Sequence, residues 1–284
     1  METLATWYLS LAPSFAPDYW RKPKLLERAT MEYEDEVSGG FLKWFPSLSL
    51  VGKDVLDLGC GYGGRSVRYA VLGARSLYGI EPGEQSCAEA RDFATAHKVA
   101  PSFVAGFAES LPFPAASFDC VLSYDVFEHV CDLGKTLEEC KRVLRAGGSL
   151  YAVFPPFHHP TGAHLDGWLS KMPWPNLLFP CSALVKAGTN MISQRADDYR
   201  PNSLRPTDRL WGLNGITIRR LRQIIDSLDS DCSLELAPLF SPLNSKWESW
   251  HMKYYAPLFS PLRHIPFLQE CFTHRIVLTM TKLH

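Results

Sequence analysis

No run of about 18 consecutive apolar residues occurs in the 284-residue chain, so no segment of it is expected to span a membrane. The opening METLATWYLSLAPSFAPDYW lacks a basic stretch ahead of an unbroken apolar core and does not read as a secretion signal. An excess of one charge is missing too. Lys and Arg number 29 against 30 for Asp and Glu, a net charge of −1, and no basic stripe marks a nucleic-acid surface. The eight cysteines, at 60, 87, 120, 131, 140, 181, 232 and 271, include no C-x-x-C pair, so no zinc-finger or thioredoxin-type motif is present. Scattered thiols without an export signal fit a reducing cytoplasm. Internal repeats and low-complexity tracts are absent. What remains is a chain that is 46% hydrophobic, enough for a full core, with 12% aromatics and 21 prolines crowded toward the second half.

Between residues 51 and 154, short apolar runs alternate with amphipathic ones. KDVLDLG reads as a buried strand, followed by a helix through GRSVRYAVLG. SLYGIE, SFVAG and SFDCVLSYD read as further strands, with GEQSCAEARDFATAHK as a helix after the first of them. DLGKTLEECKRVLRAGG reads as a helix with Leu133, Leu137, Cys140 and Leu144 on one face, capped by Asp132 and ended in the left-handed conformation by Gly147. GSLYAVFPP is a fifth strand, stopped by Pro155 and Pro156. This alternation implies parallel strands with right-handed crossovers, and ligands at the carboxyl ends of the strands. Residues 155–214 and 239–271 show no period. TIRRLRQIIDSL reads as a helix with Arg219–Gln223 on its wet face, and CSLELAPL and THRIVLTMTKL read as two final strands.

VLDLGCGYGG (Val55–Gly64) sets four glycines close behind one acid, Asp57. Gly59, Gly61 and Gly64 satisfy G-x-G-x-x-G, with Glu81 about 20 residues on, which is the dinucleotide fingerprint. Asp57 argues against that reading. A diphosphate over the loop would face like charge, whereas a ligand with an ammonium and a sulfonium would be attracted.

VLDLGCGYG, GIEPGE, FAESLPFPAASFDCVLSYDVFEHV and VLRAGGSLYAVFPP, taken in order, resemble the motifs of class I S-adenosylmethionine-dependent methyltransferases. The closest resemblance is to the methyltransferase type 11 group, which includes enzymes acting on ubiquinone and menaquinone precursors. It covers residues 50–155 strongly. It implies an α/β fold: a Rossmann-like, doubly wound, mostly parallel seven-stranded sheet with an antiparallel last strand, plus helical and irregular substrate-covering insertions. It further implies one domain over residues 1–284: a helical cap (1–50), a cofactor core (51–154), substrate-side insertions (155–214 and 239–271) and the end of the sheet (215–238 and 272–284). The cofactor implied is S-adenosylmethionine, with S-adenosylhomocysteine as product, in a cytoplasmic enzyme with a small-molecule substrate.

On the same resemblance, Gly59, Cys60, Gly61 and Gly63 would let the backbone approach the methionine part, and Asp57 would orient its amino group. Glu81 would take both ribose hydroxyls, and Ile80 and Pro82 would flank the adenine. Phe107, Ala108 and Glu109 would meet the adenine edge, Ser123 and Tyr124 would close the pocket near the sulfonium, and Tyr33 would cover the cofactor. Cys60 itself is expected to be a small filler.

Two clusters offer a base: Asp125, Glu128 and His129 after the fourth strand, and His158, His159, His164 and Asp166 after the fifth. Three readings stand side by side: His129, His158 or His159 as general base, a divalent metal held by imidazole and carboxylate, or a structural role. The rings and leucines Trp168, Trp174, Leu177, Leu178 and Phe179, with Trp247, Trp250, Tyr254, Tyr255 and Phe259, hint at an aromatic or lipid-like acceptor. O- and C-methylation both fit. So do a cofactor-binding protein that catalyses a cyclisation or nothing at all and, more distantly, an NAD-dependent oxidoreductase.

Overall fold

The computed structural model describes residues 1–14, 26–165, 169–194, 210, 212–228, 232–239 and 265–284. Asp166, Trp168, Trp247, Trp250, Tyr254, Tyr255 and Phe259 lie outside the described residues.

Seven strands form one sheet in the order β3-β2-β1-β4-β5-β7-β6. They are β1 (Asp54–Leu58), β2 (Ser76–Glu81), β3 (Ser102–Ala105), β4 (Phe118–Tyr124), β5 (Leu144–Phe154), β6 (Cys232–Leu239) and β7 (Arg275–Lys282). β1 pairs parallel with both β2 and β4, and β4 with β5, while the last strands run antiparallel. Val55, Leu56 and Leu58 are wholly buried, as a strand covered on both faces requires. The alternation in β7 places Ile276, Leu278 and Met280 in the core. The chain leaves β1 between β2 and β4, where the strand order reverses, and that is where a doubly wound sheet takes its ligands.

The helices are α1 (Glu2–Ser10), α2 (Glu27–Val37), α3 (Gly64–Val71), α4 (Glu84–Ala96), α5 (Leu133–Val143), α6 (Pro175–Leu178), α7 (Cys181–Ser193), α8 (Ile218–Asp226) and α9 (Pro266–Gln269). Asp132 caps α5 as expected, its Oδ1 accepting from the Lys135 N–H at 3.1 Å. Gly147 does not end that helix. α5 stops at Val143 and Leu144 is already extended (φ −71, ψ 141). Gly147, at φ 76, sits inside β5, where the pairing jumps from Phe118↔Leu144 to Cys120↔Ser149. Two residues of β4 are thus matched by five of β5, and the glycine serves this bulge. The irregular reading of 155–214 also gives way in part. α7 buries Ala183, Leu184, Ala187 and Ile192 on one stripe.

The chain forms two compact units. One comprises Pro23–Phe154, Gln223–Ala237 and Val277–His284 and holds most of the sheet. The other comprises Met1–Lys22, Pro155–Arg222 and Pro238–Ile276. Its core packs Ala5 and Leu9 of α1 with Leu184, Ala187 and Ile192 of α7, together with Phe157, Leu165, Leu169 and Phe179. The segment expected as an amino-terminal cap is shared, with α1 in the second unit and α2 in the first.

Candidate functional site

After β1 the chain turns through Gly59, Gly61 and Gly63, all with positive φ. Two of the loop's glycines are demanded by close approach of α2. A Cβ on Gly61 would stand 2.6 Å from Glu32 Oε1, at a φ of 55 that side chains rarely adopt. A Cβ on Gly64 would overlap the Ala29 carbonyl oxygen. α2 therefore lies directly on the loop and the start of α3.

Three carboxylates gather there. Glu32, which no sequence signal singled out, accepts from the Tyr62 N–H at 3.1 Å (Oε1) and from the Gly64 N–H at 2.9 Å (Oε2). Asp57 is 5% exposed, and its Oδ2 accepts from Ser66 Oγ at 2.5 Å. Glu81, at the end of β2, lies with Oε2 3.4 Å from the Gly61 N–H. Burial raises Asp57 to about 6 and Glu32 to about 7, and it pushes Glu81 up as well. The charges reinforce one another, since Glu81 and Glu36 act on Asp57, and Asp57 on Glu32. Among the described residues Arg65 answers them. Burial opposes the charge on Arg65, but Glu32 foremost, then Tyr69, Tyr124 and Asp35, more than offset it and raise its pKa. Its Nη2 meets Asp35 at 3.2 Å, and its guanidinium lies 4.7 Å from the Tyr124 ring centre.

The remaining expected residues take different local roles. Cys60 is buried beneath the loop, a Cβ on Gly79 would lie 2.8 Å from its Sγ, and burial pushes its thiol well above the ordinary range. Ile80 is buried in the sheet, while Pro82 is exposed. Phe107 is exposed and Ala108 half-buried. Glu109 Oε1 accepts from the N–H groups of Cys131 (2.5 Å) and Asp132 (3.3 Å), tying the loop after β3 to the loop after β4. Ser123 is buried at the end of β4, and its Oγ has no hydrogen-bond partner among the described residues. Tyr124 packs 5.7 Å from Phe41. Tyr33 packs 6.0 Å from Phe93 and 5.0 Å from His97, so its ring faces α4. Asp125 turns the chain at φ 56 and donates its N–H to Val153 O. His129 follows on that loop with its side chain 40% exposed, next to the buried Glu128.

The histidines after β5 belong to the second unit. His158 Nδ1 lies 2.9 Å from Glu270 Oε1, which also accepts the His158 N–H. Glu270 Oε2 accepts from the Ile218 N–H at 2.9 Å, so this carboxylate pins two segments together. His159 is buried and both ring nitrogens are engaged: Nδ1 with the Thr161 N–H and hydroxyl, Nε2 with His274 Nδ1 at 3.1 Å. Of the expected wall, the Trp174 indole donates to Cys271 O, Phe179 is core beside Tyr8, and Leu177 and Leu178 are exposed.

A glycine loop with an acid ahead of it thus sits at the switch point of a doubly wound sheet. Residues 56–152 match the family described as "Methyltransferase domain". Over these residues the chain is similar to class I S-adenosylmethionine-dependent methyltransferases. Among curated relatives it is 37% identical over 104 residues to a ubiquinone biosynthesis O-methyltransferase of Rhizobium etli, a match covering 37% of this chain and 42% of the relative. It is 33% identical over 136 residues to the 27-O-demethylrifamycin SV methyltransferase of Amycolatopsis mediterranei, covering 46% and 47%. The chain thus spans less than half the length of these relatives. In fold it is similar to an S-adenosylmethionine dependent methyltransferase from Mesorhizobium loti, with TM-score 0.50 and 16% identity over 82% of this chain and 92% of that one. Among the described residues no helix is long and apolar enough to cross a membrane.

Proposed function

We propose that the protein transfers a methyl group from S-adenosylmethionine to a hydroxyl of a small, largely apolar acceptor. The observation that carries this reading is the acidic rim of the glycine loop. Glu81 and Glu32 accept from its backbone N–H groups and Asp57 is buried just ahead of it, which suits a ligand bearing a sulfonium and an ammonium and opposes one bearing a diphosphate. The residues fit that cofactor in kind. Glu81 would take the ribose hydroxyls, Asp57 the amino group, and the backbone of Gly59–Gly63 the methionine part. The unpartnered hydroxyl of Ser123 would serve the far end, with Phe107, Ala108 and Pro82 beside the base. Bound there, the cofactor supplies an electrophilic methyl on a good leaving group.

The chain's own work is to align the acceptor, exclude water and take its proton. His129 is the base in this reading. It is well exposed and follows β4 closely, and imidazole suits proton transfer near neutral pH. The engaged ring nitrogens of His159 and the Glu270 contact of His158 favour structural roles for those two. Two relatives whose names specify O-methylation favour oxygen over carbon as the acceptor atom. The test follows labelled methyl from the cofactor into host extracts. Label should appear in a small product that releases it on ether cleavage. His129→Ala should cut turnover about a hundredfold with cofactor affinity kept. Label that never leaves the cofactor contradicts the reading, and full turnover in His129→Ala removes the base.

A further inference from the structure

In a fold that binds a dinucleotide, the N–H groups opening the helix after the glycine loop face the diphosphate. Here the Gly64 N–H, the first of α3, and the Tyr62 N–H just before it are both taken by one side chain, Glu32 of α2. Nothing about this contact is incidental to the packing. Gly61 and Gly64 leave room for Glu32, Ala29 and Tyr33 where any side chain would collide. Asp35, one turn along α2, holds Arg65 at 3.2 Å, and Arg28 donates to the Tyr62 hydroxyl. An anionic side chain at the amino end of α3 also answers the helix dipole.

We propose that Glu32 is a specificity-determining residue: its carboxylate occupies the two loop N–H groups that a diphosphate would need, and its charge favours a cationic sulfur donor over a neutral or anionic ligand. This rests on the methyl-donor reading above and deepens it. The consequence is discrimination between S-adenosylmethionine and its own product. The two differ at sulfur by one methyl and one positive charge, so a carboxylate near the site favours the donor and helps the spent product leave. One unit charge removed from such a site changes the affinity of a singly charged ligand by about tenfold.

The charged groups facing Glu32 are Arg65 from α3 and Asp57 from β1, with Asp35 and Glu36 on α2 itself and Glu81 of β2 across the Gly61 N–H. Against that background the carboxyl of Glu32 titrates near neutrality, so the preference should depend on pH in the physiological range. Calorimetry on the full chain reads it directly, with S-adenosylmethionine, S-adenosylhomocysteine and NAD as ligands at pH 6 and pH 8. In the wild type the ratio of donor to product affinity should rise from pH 6 to pH 8, as Glu32 ionises. Glu32→Gln should lower donor affinity about tenfold and product affinity much less, and should flatten the rise. Glu32→Asp, which keeps the charge, should retain most of the ratio. The wild-type pH comparison stands even where a variant folds poorly. A ratio unmoved by Glu32→Gln in a protein that binds both sulfur ligands overturns the role of Glu32 and leaves the methyl-donor reading intact. A wild type that binds neither, or that prefers NAD, overturns both.

Discussion

Asp57 and Glu32 hold their protons more tightly in the folded chain than an exposed carboxylate would, and this fixes the sign of one pH effect. Each has a folded pKa raised above its ordinary value, to about 6 and about 7. Their stabilising contribution is complete below the unfolded values of 3.8 and 4.5, and it is lost as pH rises through about 6 and 7. Asp54 beside Arg75, and Glu139 beside Arg142, are held low and act in the opposite sense. Their contribution is present above their ordinary values of 3.8 and 4.5 and fails only below them. Between pH 5 and 8 the raised pair decides. The denaturation midpoint of the ligand-free protein should therefore fall across that window in urea titrations, and saturating S-adenosylmethionine should reduce the fall. A midpoint that rises from pH 5 to pH 8 contradicts the burial of these two acids. At this scale the sequence was partly legible. Asp57 stood out because it precedes a glycine loop, and Glu81 because it ends a strand about 20 residues on. Glu32 did not, because EYEDEV reads as a solvated acidic face and only packing against a segment 30 residues away gives Glu32 its role.

The element that decides the site is α2, pressed onto the glycine loop through Glu32 and the Asp35–Arg65 pair. The glycines at 61 and 64 make that contact sterically open. Gly64→Ala would drive a methyl into the Ala29 carbonyl and the Tyr33 N–H, so α2 must shift or the loop must open. The expected cost is about 1–3 kcal/mol of stability, as for an overpacked core, together with weakened cofactor binding. Gly147→Ala makes a useful contrast. A Cβ there meets nothing within 4 Å, so its cost comes from positive φ alone and should spare cofactor binding. Chemical denaturation and calorimetry on both variants check this, and equal effects on binding would contradict it. Gly147 also shows how an element boundary escapes the sequence. R-A-G-G after an amphipathic run is what a helix end looks like, yet here the strand had already begun and the glycine absorbs its extra residues. α7 escaped for a different reason: its buried stripe is mostly small, Ala183, Ala187 and Gly188 beside Leu184 and Ile192, with too little apolar contrast to show a period.

Across the whole molecule, the sheet was the most legible part. Its strands are short apolar runs whose period survives in isolation, and their alternation with helices dictates parallel pairing and the switch point. The second unit was the least legible. Its core is assembled from α1 and α7, more than 170 residues apart, around rings and leucines that carry no local period. The histidines placed there draw their meaning from distant partners, His158 from Glu270 and His159 from His274. The acceptor's identity belongs to such long-range assembly, whereas the cofactor's belongs to the loop after β1.

The central claim is that this loop holds a sulfonium donor, with Glu81 on its ribose. Calorimetry of S-adenosylhomocysteine against the wild type and Glu81→Ala tests it most directly. The account predicts binding to the wild type in preference to NAD and, since hydrogen bonds to a charged group contribute about 1.5–3 kcal/mol, a loss of at least about tenfold in the variant. Equal affinity in the two proteins, or NAD bound in its place, would contradict it.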